Sequence, residues 1–352
     1  MVSSTTSCSM RAQGFPQGAC LVETPEGSKK LACQITLRHQ PDIGYERLIR
    51  SFHLSRPEDY LSIYQSGCNH SCLKCHSHEF SKVASGEWMS TDFIALAAES
   101  YRRHVNVFEP REAATSWHAH RLCKHCGSCV LKGEPSPQCP RKLRRDQVVL
   151  GPQGFGPARN IVAFTGGDVL CQPEFYIEVT QKIKEACPDL WVLLETNGYG
   201  LTPQNLEAYA QGGIDAFWLD IKAFSEKKYR ELCGTTNKHI LSSVEKIVDL
   251  GFTLEILTLY IPGLVETEEH LEIAKLITEV DSNIPTTLLA FFPCYKLSES
   301  PNRPPTVQEM VESFLAMQHQ GLKNLRLGNL GVFVKNDQEA NHIVEILGDD
   351  SF

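Results

Sequence analysis

Gly67-Cys68-Asn69-His70-Ser71-Cys72-Leu73-Lys74-Cys75, or GCNHSCLKC, follows closely on the apolar, strand-like run Tyr60-Leu61-Ser62-Ile63-Tyr64. The CxxxCxxC spacing gathers three thiols in one short loop at a strand's end. A tetrahedral structural zinc takes four protein ligands, and so does a standard iron-sulfur cubane. Three thiolates on a cubane therefore leave one iron open to bind something else. The alternatives are three merely buried thiols, or a zinc site completed by His70, His76 or His78.

Working outward, Phe164-Thr165-Gly166-Gly167-Asp168 ends the next strand-like run, and glycine is tolerated where a side chain would block a close backbone approach. Leu194-Glu195-Thr196-Asn197-Gly198 and Leu219-Asp220-Ile221-Lys222-Ala223-Phe224 follow, each at a strand's end, and then Gly234-Thr235-Thr236-Asn237. In this order, with the triplet, they resemble the radical S-adenosylmethionine (radical SAM) superfamily. The run TGGDVLCQPEFY (Thr165 to Tyr176), and His76 directly after the third cysteine, are similar to its glycyl-radical-enzyme-activase-like branch, typified by the pyruvate formate-lyase activating enzyme. The resemblance runs from Tyr60 to Asn329 with one interruption, and Ala290 to Asn329 is similar to an uncharacterised branch of activase-like enzymes. Two positions depart from the pattern: Asp168 stands where glutamate is usual, and Lys74 where an aromatic ring is frequent.

The resemblance implies that Cys68, Cys72 and Cys75 carry a [4Fe-4S] cluster whose open iron binds S-adenosylmethionine. It implies cofactor-binding roles for Gly166, Gly167, Asp168, Glu195, Asn197, Asp220 and Lys222, with a strand-end ion pair as the alternative for the last two. An electron from a low-potential donor such as flavodoxin or ferredoxin would cleave the cofactor to methionine and a 5'-deoxyadenosyl radical. That radical would abstract hydrogen from a protein or peptide, in glycyl-radical activation or side-chain modification. Two other functions stand as alternatives. A cobalamin-dependent radical SAM protein methyltransferase would be expected to carry an Asp-x-His-x-x-Gly segment, and none is present. A non-catalytic iron-sulfur or zinc electron-carrier module leaves the strand-end motifs without a purpose.

The fold expected is α/β: a partial (β/α)6 radical SAM barrel with an N-terminal β extension and a cysteine-rich insertion. Strands are expected at 60–66, 160–165, 191–196, 215–221, 253–261 and 286–293, alternating with amphipathic stretches such as Pro173 to Ala186, Pro203 to Gln211 and Glu268 to Thr278. Such alternation implies a parallel sheet with right-handed crossovers. Thr202 before Pro203 marks a helix start and Gly251 a helix stop. In parallel α/β folds the reactive site gathers at the carboxyl ends of the strands, where Cys68, Gly166, Asn197 and Lys222 all fall.

The expected regions are 1–58, an N-terminal hairpin extension; 59–105, the first part of the barrel with its cluster loop; 106–158, the insertion; 159–300, the rest of the barrel; and 301–352, a helix-strand-helix extension opened by the capping pair Thr306 and Glu309. The hairpin arms are Ala19 to Val22 and Leu31 to Leu37 around Pro25-Glu26-Gly27. Cys8, Cys20 and Cys33, widely and irregularly spaced, read as ordinary thiols rather than a third metal site.

Within the insertion, Cys123-Lys124-His125-Cys126-Gly127-Ser128-Cys129 and then Cys139-Pro140 resemble half of a bacterial ferredoxin motif with its last gap lengthened. Four thiolates complete a cubane without an open iron, so a second, auxiliary [4Fe-4S] cluster is expected, with zinc or a single iron as the alternative.

Composition fits this picture. A formal net charge of -8 argues against nucleic-acid binding driven by bulk charge, although Arg141-Lys142-Leu143-Arg144-Arg145 forms a local basic run. No apolar stretch is long enough to span a membrane and the start shows no secretory pattern, so a cytoplasmic location is expected. The tight CxxC-type clusters among the fourteen cysteines then read as metal ligands in a reducing compartment.

Overall fold

The computed structural model describes residues 8–299 and 303–352. Residues 1–7 of the N-terminal region, and the division placed between 300 and 301, lie outside the described residues.

The core is a ten-stranded sheet among the described residues. Seven of its strands run parallel and neighbour one another in chain order: Leu61–Gln65, Ile161–Gly166, Trp191–Thr196, Ala216–Asp220, Thr253–Tyr260, Thr286–Ala290 and Leu325–Gly328. The first six match the strands expected from sequence, trimmed by one to three residues at some ends. The seventh lies in the C-terminal region and extends the same sheet.

These runs are apolar because both faces are covered. Alternation sorts their side chains: Val162, Phe164, Val192 and Leu194 pack outward with Phe175, Tyr176, Val179 and Ile183 of the helix Pro173–Ala186. Ile161, Ala163, Leu193 and Ala216 point the other way, into a small inner cluster with Tyr60 and Ala114. Local chemistry sets the helix ends. Thr202 accepts from the Asn205 amide ahead of Pro203, and Thr306 and Glu309 cap one another reciprocally.

The N-terminal part departs from the simple hairpin. Its paired strands are only Leu21–Glu23 and Lys29–Leu31. The chain then turns into a short helix, Ala32–Ile35, and Leu37–Gln40 pairs instead with Gly44–Leu54. That eleven-residue strand, mixed in charge and so without a clean apolar signal, runs antiparallel beside the first barrel strand and also carries Glu87–Ser90. The N-terminal region thus contributes directly to the main sheet.

The insertion is fastened at the amino ends of the barrel strands. Arg159, wholly buried just before the second strand, donates to Glu109 at 2.5 Å, to the Thr115 carbonyl at 2.7 Å and to the Ala113 carbonyl. Glu255, near the start of the fifth strand, accepts from the amides of Ser116 and Trp117 at 2.6 and 3.2 Å. Ser116 also receives a hydrogen bond from Arg326 of the seventh strand at 3.1 Å. The short helix Ser116–Leu122 therefore closes the bottom of the barrel. Among the described residues no helix is long and apolar enough to cross a membrane.

Candidate functional site

At the opposite, carboxyl ends of the strands lies a cavity of about 290 Å³. Cys68, Cys72 and Cys75 line it together with Gly166, Asp168, Glu195, Asn197, Asp220 and Lys222. Residues from four separate segments of the chain thus meet at one place. Gly167 is the exception among the expected site residues. It is not in the cavity wall, and a Cβ there would stand 2.3 Å from the Gly67 carbonyl oxygen and 2.7 Å from that of Gln65. Its missing side chain serves the close packing of two strand ends, whereas Gly166, at φ +88°, does face the cavity.

The cluster loop is held from several sides. Asn69 donates to Asp168 Oδ1 at 3.1 Å, and Asn197 Nδ2 donates to Asn69 Oδ1 at 2.8 Å and approaches Cys68 Sγ at 3.7 Å. The Ser81 hydroxyl lies 3.1 Å from Cys75 Sγ. Both ring nitrogens of His70 are engaged, with Asn69 at 2.8 Å and Tyr229 at 2.9 Å, and His78 stacks on Tyr295 with its Nδ1 3.2 Å from the Cys75 carbonyl. With both nitrogens engaged, His70 is not free to complete a zinc site with the triplet. His76 lines the cavity beside Phe292.

Asp168 is engaged on both oxygens: Oδ1 also accepts from the Leu170 amide at 3.0 Å, and Oδ2 accepts from the Thr196 hydroxyl at 2.7 Å and the Asn197 amide at 3.0 Å. Burial raises its pKa while these donors oppose the rise. Glu195 sits between Tyr60 Oη at 2.8 Å and Thr165 Oγ1 at 2.5 Å, and desolvation pushes its carboxyl up to about 8. Lys222 and Asp220 form an ion pair in the wall. Burial works against the Lys222 ammonium, yet Asp220 and the thiols of Cys72 and Cys233 keep its pKa above the usual lysine range.

Several lining residues carry no sequence signal: Lys82, which donates to the His70 carbonyl, Trp218, and Asn329, whose φ of +59° marks a tight turn after the seventh strand. Cys233, next to the lining residue Leu232, also carries no sequence signal, and its thiol interacts with that of Cys72 behind the wall. Lys74 lies 4.0 Å over the Phe292 ring, so an aromatic residue does reach this wall, from a different part of the chain.

The donor set suits a cubane with one open iron: three thiols of one loop, hydrogen-bond donors to two of the sulfurs, and three lysines in the wall. Among the described residues no three His, Cys, Asp or Glu side chains are near enough to hold one metal ion. That spacing belongs to single-ion sites, whose sulfurs stand ~3.8 Å apart for tetrahedral bonds of ~2.3 Å. A cubane spreads its thiolates over separate irons.

Cys123, Cys126, Cys129 and Cys139 line a second cavity, of about 240 Å³, in the insertion. It lies beyond the amino ends of the strands, so the two sets occupy opposite ends of the barrel. The first barrel strand, five residues long, spans ~16 Å at ~3.3 Å per residue. A chain of contacts runs that height. The His125 amide donates to Cys123 Sγ at 3.3 Å, His125 Nε2 meets Asp59 at 2.9 Å, and the adjoining Tyr60 reaches Glu195 in the cavity wall.

Residues 120–277 match the Radical SAM superfamily. That match includes the glycine motif and the insertion cysteines and begins after the cluster loop. Among curated relatives, a trans-4-hydroxy-L-proline dehydratase activating enzyme of Clostridioides difficile is 29% identical over 138 residues, 39% of this chain and 43% of that protein. A pyruvate formate-lyase-activating enzyme of Clostridium pasteurianum is 27% identical over 141 residues, 40% of this chain and 55% of the other. The chain spans about half the length of the curated relatives it matches. A solved domain of a pyruvate-formate lyase-activating enzyme from Bacteroides vulgatus overlays with a TM-score of 0.41 at 16% identity, covering 48% of this chain and 98% of that one.

Proposed function

We propose that the protein is a radical SAM enzyme that abstracts a hydrogen atom from a protein substrate. Cys68, Cys72 and Cys75 hold a [4Fe-4S] cluster. A cluster held there would supply the low-potential electron needed for reductive cleavage of S-adenosylmethionine to methionine and a 5'-deoxyadenosyl radical. The residues around it bind and orient. Gly166 leaves room for the methionine end of the cofactor, and Asn197 steadies both the loop and the Cys68 sulfur. The Lys222–Asp220 pair presents a fixed charge pattern to the cofactor or substrate. Trp218, Leu257, Leu259 and Leu289 supply apolar wall that keeps water from the reacting carbon.

The relatives cited are named as activating enzymes of a dehydratase and of pyruvate formate-lyase, which supports another protein as substrate. In this reading a flavodoxin- or ferredoxin-like protein supplies electrons. The insertion cysteines hold an auxiliary [4Fe-4S] cluster from which electrons enter at the far end of the barrel.

The observation that carries this reading is the convergence of the triplet with Gly166, Asp168, Asn197 and Lys222 on one cavity. Anaerobically reconstituted protein should cleave S-adenosylmethionine when given dithionite. Replacement of all three loop cysteines by alanine should abolish cleavage and remove about four irons per chain. Cleavage that survives the triple change defeats the assignment.

A further inference from the structure

Half of the fourteen cysteines lie outside the two motif sets, and four of them, Cys8, Cys20, Cys33 and Cys171, meet beside the cluster loop. The backbone brings them there from three segments. Cys20 and Cys33 flank the short N-terminal hairpin, where the Cys20 carbonyl accepts from the Ala32 amide at 2.9 Å. Cys171 lies three residues past the glycine motif, and its carbonyl accepts from the Ser9 hydroxyl at 2.5 Å, drawing in the segment that carries Cys8.

The thiols follow the backbone. Cys33 and Cys171 are interacting neighbours, and the Cys20 thiol has Cys33, Cys8 and Cys68 as electrostatic neighbours. Cys20 Sγ also stands 3.9 Å from the carbonyl of Asn69 in the cluster loop. Cys20 and Cys171 are buried while Cys8 and Cys33 are half-buried.

A second observation points to an anionic occupant. Arg47 is wholly buried and acts electrostatically on Cys33, and its Nη2 has no hydrogen-bond partner. A buried guanidinium keeps its charge and is costly without a full complement of acceptors. Four thiolates around a metal-sulfur core supply compensating negative charge.

We propose that Cys8, Cys20, Cys33 and Cys171 hold a third iron-sulfur centre, a [4Fe-4S] cubane with every iron bound by the protein. With four thiolates and no open iron its chemistry is that of an electron carrier. It would lie at the same end of the barrel as Cys68, whereas the insertion set lies at the other. The site itself stands independently of the function proposed above.

The test is iron and acid-labile sulfide content with Mössbauer spectra of the anaerobically reconstituted full chain, beside three variants. Cys33→Ser/Cys171→Ser and the milder Cys8→Ser should each hold about four irons fewer than wild type, while Cys187→Ser, which alters a buried cysteine outside every set, should lose none. Circular dichroism separates a lost centre from a lost fold, and Cys8→Ser, altering a half-buried residue, keeps the question open to decision if the double variant does not fold. Wild type at about twelve irons, falling to about eight, supports the site with both motif clusters in place; a fall from about eight to four supports it and removes one of the motif clusters instead. Iron unchanged in the double variant and in Cys8→Ser overturns the inference and leaves the two-cluster reading standing. One equivalent of zinc lost with Cys33 and Cys171, or a Cys33–Cys171 disulfide in protein kept free of air, overturns it as well.

Discussion

Asn69 of the cluster loop donates a 3.1 Å hydrogen bond to Oδ1 of Asp168, so the acid of the glycine motif fastens the cysteine loop to the barrel. With Leu170, Thr196 and Asn197 also donating, the carboxylate already has four partners within the protein. Its shortness relative to glutamate fits this internal role.

Asp168→Asn should therefore act first on stability. An amide turns a donor toward groups that are themselves donors, and a buried group left unpaired costs about 1 to 3 kcal/mol. Asp168→Glu, with an added methylene in a filled site, should cost a similar ~1 to 3 kcal/mol. Anaerobic melting curves should fall in both variants, and titration calorimetry should show no tighter cofactor binding in the glutamate variant. An asparagine variant of normal stability with weakened binding would show direct anchoring of the cofactor instead.

Gly167→Ala should damage the site although Gly167 lines no part of it. The new Cβ would meet two backbone carbonyl oxygens, from Gly67 and Gln65, which cannot swing aside. The loop must shift, at about 1 to 3 kcal/mol for overpacking. Reconstituted iron should drop by the cluster-loop share. Full iron content and an unchanged melting temperature would mean that the strand ends are looser than they are drawn.

Replacement of Cys123 and Cys126 by serine should leave the Cys68 site working. The two sets sit at opposite ends of the barrel, and Arg159 and Glu255 hold the root of the insertion without help from the cysteines. About four irons should be lost. Cleavage driven by dithionite should persist, while turnover with a protein electron donor should fall. Purified wild-type protein with one zinc and iron near four would instead make the insertion a structural metal site.

Glu195 makes stability depend on pH. Its carboxyl lies near 4.5 when unfolded and is raised to about 8 when folded, chiefly by desolvation. Between those values the folded state holds the extra proton, so its contribution to stability falls as pH rises from about 4.5 to 8. Glu195→Gln removes that titration and still accepts from Tyr60. The gap in melting temperature, variant minus wild type, should grow from pH 5 to pH 8. A gap that stays constant would mean that Glu195 is already charged in the folded protein at pH 5.

Much of the barrel was legible in the chain because its causes are local. Apolar runs buried on both faces marked the six strands, and the amphipathic stretch Pro173–Ala186 matches its helix at both ends. Proline at its first turn and helical apolar spacing act within a few residues. The motif cysteines were legible for the same reason, since a short loop fixes their spacing before anything folds. What the tertiary structure alone decided concerns partners distant in sequence. Nothing near Gly44–Leu54 announces a strand that pairs beside Leu61–Gln65, and nothing near Ser116 foretells Glu255, 139 residues away, as its acceptor. Those choices follow from which buried polar groups must be satisfied once the sheet closes. They put the insertion at the amino ends of the strands, away from Cys68. They also bring Cys8, Cys20 and Cys33 toward Cys171, because the N-terminal segment packs over the end of the glycine motif.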